Sequence, residues 1–166
     1  LRCIGNLPYN ITSQILFRLF GQADRIRDAV FMMQREVADR ILAAPGGKEY
    51  GILSVMTQLH GDVRRCFSVS PNVFHPRPAV WSTVVHLHLT PARLAELRNY
   101  SFFRSIVKAA FGQRRKILAN SLRQLGIDRN TLDPDVQRVL GQRPEQLSVG
   151  DLIALSNTLF IHRNPG

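Results

Sequence analysis

Two cysteines in 166 residues, Cys3 and Cys66, are too few and too far apart for a disulfide framework, and no C-x-x-C occurs. Both lie in apolar runs and read as buried thiols of a protein kept in a reducing compartment, the cytoplasm. No apolar run approaches the roughly 18 residues that cross a bilayer, which predicts a soluble chain. The amino terminus has no charged segment followed by an apolar stretch and a small-residue cleavage site, so no secretory signal is read there. A G-x-G is missing too: the glycines are isolated apart from Gly46-Gly47. Gly46-Gly47-Lys48 is not a phosphate loop, because Glu49 follows the lysine and no glycine stands five residues before Gly47. There is no internal repeat and no low-complexity segment.

Acidic residues are scarce in one region above all. The formal charge is +10, with ten Lys/Arg against six Asp/Glu in residues 1–92 and twelve against six in residues 93–166. Between Glu96 and Asp128 no acid occurs, while Arg98, Arg104, Lys108, Arg114, Arg115, Lys116 and Arg123 all do. A solvated helix face would interleave acids for i,i+4 pairing; a field of one sign favours a polyanion. Nucleic acid is the expected partner, through Arg104, Lys108, Arg114, Arg115, Lys116 and Arg123. An anionic membrane is disfavoured, because no strongly amphipathic terminal anchor accompanies the charge. With 45% hydrophobic residues the chain has enough apolar surface to fold into one or two small domains.

The first residues, through Cys3 and Ile4, read as a buried strand that ends at Asn6, punctuated by Gly5 and stopped by Pro8. Thr12 or Ser13 is placed to cap a helix with Ile15, Leu16, Leu19 and Phe20 on one face, ending at Gly21. Asp28–Gln34 is a central strand, followed by a helix pairing Glu36 with Arg40 and burying Val37, Ile41 and Leu42. Ala44–Gly51 is turn-rich. Ile52, Leu53, Val55, Met56 and Leu59 form the core-facing stripe of the next helix. Strands are expected over Arg64–Val69 and Thr83–Leu89. His86 and His88 share one face of the latter, without further ligands in the pattern to make a metal site.

From Arg93 the periodicity is helical. Phe103, Ile106, Val107, Ala110 and Phe111 share one face, with Arg104, Lys108 and Arg115 on another. Gly112 interrupts before a helix with Leu118, Leu122 and Leu125, closed by Gly126. Asp133-Pro134 signals a short helix, and Ser148-Val149-Gly150-Asp151 a capping box ahead of the last one. A mixed α/β part over 1–92 followed by a small all-helical domain over 93–166 that carries the basic residues for nucleic acid is the expected organisation.

The chemistry concentrates in Asn6-Leu7-Pro8-Tyr9. Loops at the carboxyl ends of strands are where open α/β sheets bind ligands. The Asn6 amide oxygen and the Pro8 carbonyl are two acceptors suited to an exocyclic amine, which has two hydrogens to give. Tyr9 adds a flat face for a stacked base. Phe74-His75-Pro76-Arg77-Pro78 reads as an extended, preorganised connector.

Asn6-Leu7-Pro8-Tyr9-Asn10-Ile11 resembles the catalytic loop of the rRNA adenine dimethyltransferases. The stretches 33–40 (MQREVADR), 45–51 (PGGKEYG), 74–82 (FHPRPAVWS) and 110–116 (AFGQRRK) resemble the same family in the same order. The likeness is greatest to the bacterial KsgA-type small-subunit (16S) enzymes, with Trp81 standing where that pattern often has an acid. The resemblance implies the carboxyl-terminal half of a Rossmann-like class I methyltransferase sheet, its strands four, five, seven and six side by side, followed by the helical domain. It implies S-adenosylmethionine as methyl donor and dimethyladenosine in small-subunit rRNA as product. Asn6, Leu7, Pro8 and Tyr9 would form the target site, with Asn6 also beside the cofactor and Phe74 closing over the flipped adenine.

The family's glycine-rich cofactor turn and its acidic partner are not in these 166 residues. This stretch alone is therefore expected to be a portion that does not hold the donor tightly. Its first strand would have an unpaired edge open to self-association. The competing readings are a non-catalytic ribosome-assembly module and the antibiotic-resistance enzymes that methylate large-subunit rRNA. The Gln113-Arg114-Arg115-Lys116 helix favours the small-subunit type over the latter.

Overall fold

A computed structural model describes residues 1–164. The elements are β1 (Arg2–Asn6), α1 (Thr12–Phe20), β2 (Asp28–Gln34), α2 (Arg35–Leu42), α3 (Ile52–His60), β3 (Gly61–Val69) and β4 (Ser82–Leu89). A one-turn α4 (Ala92–Ala95), α5 (Tyr100–Gly112), α6 (Leu118–Leu122), α7 (Pro134–Leu140) and α8 (Val149–Arg163) follow. They form two compact units. One takes Leu1–Ala43 and Met56–Arg93; the other takes Ala44–Val55 and the chain from Leu94 on.

The first unit is a four-stranded sheet in the order β1-β2-β4-β3, with β1 parallel to β2 and β4 antiparallel to both its neighbours. Alternation in β2 and β4 buries Ala29, Phe31, Met33, Val85, Leu87 and Leu89 on one face. Leu16, Leu19, Phe20, Ala38, Ile41, Met56 and Leu59 complete this core. The first strand carries the unpaired edge expected of this stretch, and with that edge uncovered it is exposed rather than buried. β1 is an edge strand, and Arg2, Ile4 and Asn6 point to the less covered face, with Ile4 87% exposed. Cys66 is corrected in the same way: it lies exposed on the opposite edge strand β3, and Cys3 is half-buried.

Two caps differ from expectation. Ile11 precedes α1 and gives it no side-chain cap. Thr12 is already helical, and its hydroxyl donates to the Pro8 carbonyl at 2.9 Å. Asp133 precedes α7 without a side-chain cap bond. In α2 it is Ala38 and Ile41 that are buried, while Val37 and Leu42 are only half-buried.

In the second unit α5 buries Phe103, Ile106, Val107, Ala110 and Phe111, and packs with α6 and α8. The α8 capping box forms: Ser148 Oγ accepts the Asp151 N–H (3.1 Å), and the Asp151 carboxylate accepts the Ser148 N–H (2.9 Å). The 44–51 turn belongs to this unit. Gly46 N–H donates to the Glu145 carbonyl at 2.6 Å, and the Tyr50 ring meets Phe111 edge-on at 5.8 Å.

Tyr50 is fully buried, and its hydroxyl has no hydrogen-bond partner among the described residues. Burial, and secondarily the Asp151 carboxylate, pushes its ionisation up to about 12. The unfolded chain ionises this tyrosine from about 10, so above that pH the native state holds a proton the unfolded state has lost. Stability from this group is complete below about pH 10 and falls at up to ~1.4 kcal/mol per pH unit toward 12. Tyr50→Phe removes that pH step and an unpaired hydroxyl; denaturant melts at pH 7 should find it about 1 kcal/mol more stable.

Candidate functional site

β1 ends opposite Met32, and the Leu7 N–H extends the ladder by one bond to the Met32 carbonyl (2.9 Å) before Pro8 stops it. β2 ends at Gln34 opposite Ser82, the first residue of β4, which in turn opposes Val69, the last of β3. The register thus brings the 7–11 loop and the 70–81 loop to one end of the sheet.

At that end Asn6 is exposed, and its amide makes no hydrogen bond to the described residues. The Tyr9 hydroxyl lies 2.7 Å from Ser82 Oγ, which holds a half-buried ring in one orientation. Phe74 is half-buried and follows a 3₁₀ turn, Pro71–Val73; its N–H donates to the Pro71 carbonyl at 3.2 Å. The reading of Pro8 as a free acceptor is corrected: its carbonyl already receives the Ile11 N–H (3.2 Å) and the Thr12 hydroxyl (2.9 Å). A carbonyl has two lone pairs, so both are engaged. The Leu7 carbonyl receives no hydrogen bond from the described residues. Leu7 itself is buried, at 6% exposure.

On the second unit, Arg104 and Lys108 are exposed on α5, and the Arg104 guanidinium sits 5.8 Å from the Tyr100 ring centre. Burial raises the Tyr100 ionisation, with Arg104 acting against it. The expected Gln113-Arg114-Arg115-Lys116 helix is corrected. α5 ends at Gly112, and these residues form the turn before α6 around a cavity of about 410 Å³. Arg114 is partly spent on structure, donating to the Lys48 and Tyr50 carbonyls at 2.7 and 2.9 Å. Arg115 and Lys116 are exposed. Arg123 lines a second cavity of about 620 Å³ together with Asn120, Asn130 and Arg129. Sequence reasoning passed over Arg129, which falls outside the acid-free stretch. The roles of Ser82 and Thr12 were also invisible, since only the fold carries their hydroxyls to Tyr9 and Pro8.

His86 is held by Arg64, whose Nε donates to Nδ1 at 3.1 Å, with Asp28 3.9 Å from Nε2; His88 is exposed. Among the described residues no group of three potential metal ligands occurs, and no helix is long and apolar enough to cross a membrane.

A family model for ribosomal RNA adenine dimethylase matches residues 1–159. The chain belongs to this family. It is 46% identical over 161 residues to the ribosomal RNA small subunit methyltransferase A of Francisella tularensis subsp. novicida. It is 45% identical to the protein of the same name in subsp. tularensis strain SCHU S4. Each alignment covers 96% of this chain and 60% of the relative, so the chain spans about three fifths of the length of these relatives. Its fold is that of a dimethyladenosine transferase from Plasmodium falciparum, with a TM-score of 0.81 at 24% identity over 98% of this chain and 66% of the other. The 23S rRNA methyltransferase ErmE superposes less closely, at 0.63 and 24% identity over 93% and 64%. The sheet is accordingly a part of the Rossmann-like methyltransferase fold.

S-adenosylmethionine is the cofactor expected of this family, and the residues present fit it only in part. Asn6 is open at the strand end where a donor would lie. The acids on α2 at that end are engaged, Glu36 with Arg40 and Asp39 with Arg35 and Arg65. No glycine-rich turn is present to approach a nucleotide closely.

Proposed function

We propose that this chain supplies the target-base loop and an RNA-gripping helical unit of an rRNA adenine N6,N6-dimethyltransferase. The enzyme would act in the cytoplasm on adjacent adenosines near the 3′ end of small-subunit rRNA. The observation that carries the proposal is the exposed Asn6 amide at the end of β1, free of hydrogen bonds to the described residues, beside a Tyr9 ring fixed through Ser82, with the unengaged Leu7 carbonyl as the second acceptor. The exocyclic nitrogen of adenine is a poor nucleophile because its lone pair is delocalised into the ring. Accepting both of its hydrogens favours a more tetrahedral nitrogen and aims the lone pair outward. S-adenosylmethionine, when bound, supplies an electrophilic methyl group. No carboxylate base is required before attack, in keeping with a loop that has none. Each transfer would break the sulfur–methyl bond, leave the donor as a thioether and release one proton from the methylated nitrogen to water, so that after the first one hydrogen remains to anchor the second round. Orientation of this kind can contribute several of the ~7–11 kcal/mol available from positioning. Stacking on Tyr9 and Phe74 would offset the cost of extruding the base.

Pro8 serves differently from a direct acceptor. Its carbonyl is held by Ile11 and Thr12, which fixes the loop, and the second acceptor would then be the Leu7 carbonyl. Asn6 would also border the donor. Arg104, Lys108, Arg115, Lys116 and Arg123 would meet phosphates, with Arg114 contributing while it ties the 44–51 turn to α5.

The test joins this chain to the part of the Francisella relative outside the matched region and measures methyl transfer from S-adenosylmethionine to pre-small-subunit particles. Dimethyladenosine should form; a joined protein that binds the particles and transfers nothing favours the assembly-module reading. On the 166-residue chain, the pair Arg115→Glu and Lys116→Glu should weaken RNA binding and lower its salt slope by about two. An unchanged slope removes both from the interface.

A further inference from the structure

Trp81 is the only tryptophan of the chain, and it is 47% exposed, high for a side chain usually well buried. Its main chain is fixed. The Trp81 carbonyl accepts the Arg35 N–H at 2.9 Å. The next residue, Ser82, is fully buried, pairs with Gln34 and Val69, and holds the Tyr9 hydroxyl at 2.7 Å. The indole is therefore presented to solvent by a rigid strand end, one residue from the group that orients Tyr9.

The surroundings favour a polyanion with flat bases over a protein partner. Val80 beside it is 41% exposed, and Arg77, His75 and Arg35 are exposed, with Asp39 facing Arg35 at 3.8 Å. No acidic residue occurs anywhere between Asp62 and Glu96. An exposed ring in a loop that carries Arg77 and no carboxylate has the chemistry that stacks on single-stranded nucleic acid.

We propose that Trp81 is a stacking platform for an unpaired RNA base flanking the one received at Asn6. The substrate strand would then be held open at two bases, one between the acceptors and one on the indole. The inference rests on the reading of the Asn6 loop as an RNA target site and adds to it a residue that selects single-stranded over duplex substrate.

Because Trp81 is the sole tryptophan, its emission reports this contact directly. The 166-residue chain is titrated with a single-stranded oligoadenylate of about twelve nucleotides, within the range of known single-strand site sizes. Emission of the unlabelled mixture is read in parallel with anisotropy of an end-labelled strand. Binding should quench Trp81 emission by about half or more, through direct ring contact with a base. A duplex of the same length should bind without that loss. Trp81→Ala should weaken single-strand binding about tenfold with an unchanged salt slope, since no phosphate contact is removed, while Trp81→Phe keeps most of the affinity. Binding seen by anisotropy with emission unchanged, or quenching as strong with duplex, overturns the role of Trp81 and leaves the basic surface standing. No binding by anisotropy at low salt overturns the RNA reading and this inference with it.

Discussion

Replacing Asn6 with alanine in the joined, active protein should lower methyl transfer by roughly 10²–10³-fold, the usual cost of deleting one preorganised hydrogen-bonding group from a reacting centre. RNA affinity should stay within about twofold, because the cations proposed to meet phosphate lie elsewhere in the chain. The expectation follows from what Asn6 does not do. Its side chain is exposed and makes no hydrogen bond to the described residues, so its loss removes no support from the fold. The Leu7 carbonyl remains after the change, which leaves one acceptor for two hydrogens and an amine that can rotate. Asn6→Asp keeps an oxygen at the same place and should retain more activity than alanine. Single-turnover rates with pre-bound substrate separate the chemical step from binding. A fall in affinity with an unchanged chemical step would assign Asn6 to holding RNA instead.

Much of the architecture is legible in the residues, and the misses share a cause. Asp28–Gln34 is a compact apolar run, and its strand has those limits. β3 begins earlier than the expected Arg64, because α3 passes into it at Gly61 with no loop for composition to mark. The order β1-β2-β4-β3 is the one the family resemblance implies. Exposure is less legible: Cys66, between Arg65 and Phe67, lies exposed on the edge strand β3, and edge position depends on sheet order rather than local pattern. At the loop, residue types point to Asn6 and Tyr9, but which carbonyl is open depends on where Thr12 turns its hydroxyl. The basic run shows the same limit. Arg114, Arg115 and Lys116 look alike in sequence, and only Arg114 spans 64 positions to meet the Tyr50 carbonyl.

Gly61→Ala is expected to be the most damaging single substitution for stability. α3 ends at His60 and β3 starts at Gly61, so the chain reverses from helix to strand within one peptide unit. Three contacts lock that corner. The His60 ring stacks on Phe20 at 4.6 Å, its Nδ1 lies 2.7 Å from the Met56 carbonyl, and the His60 carbonyl accepts the Thr90 N–H at 2.9 Å. Gly61 then opposes Leu89 in the ladder. A Cβ there would lie 2.1 Å from the His88 carbonyl oxygen and 2.9 Å from both His88 C and Leu89 Cα. All three atoms are backbone of the partner strand, so no side chain can rotate aside. β4 would have to move from β3 or the corner open, at a cost of about 3 kcal/mol or more. For a domain of this size that is a fall in Tm of roughly 6–12 °C. Gly112→Ala is the matched control. A Cβ at Gly112, the last residue of α5, meets nothing within 4 Å, and alanine is the better helix former by ~1 kcal/mol. Thermal melts of the two variants should therefore move in opposite directions. Equal melting temperatures would mean that the α3–β3 corner yields more readily than its hydrogen bonds indicate.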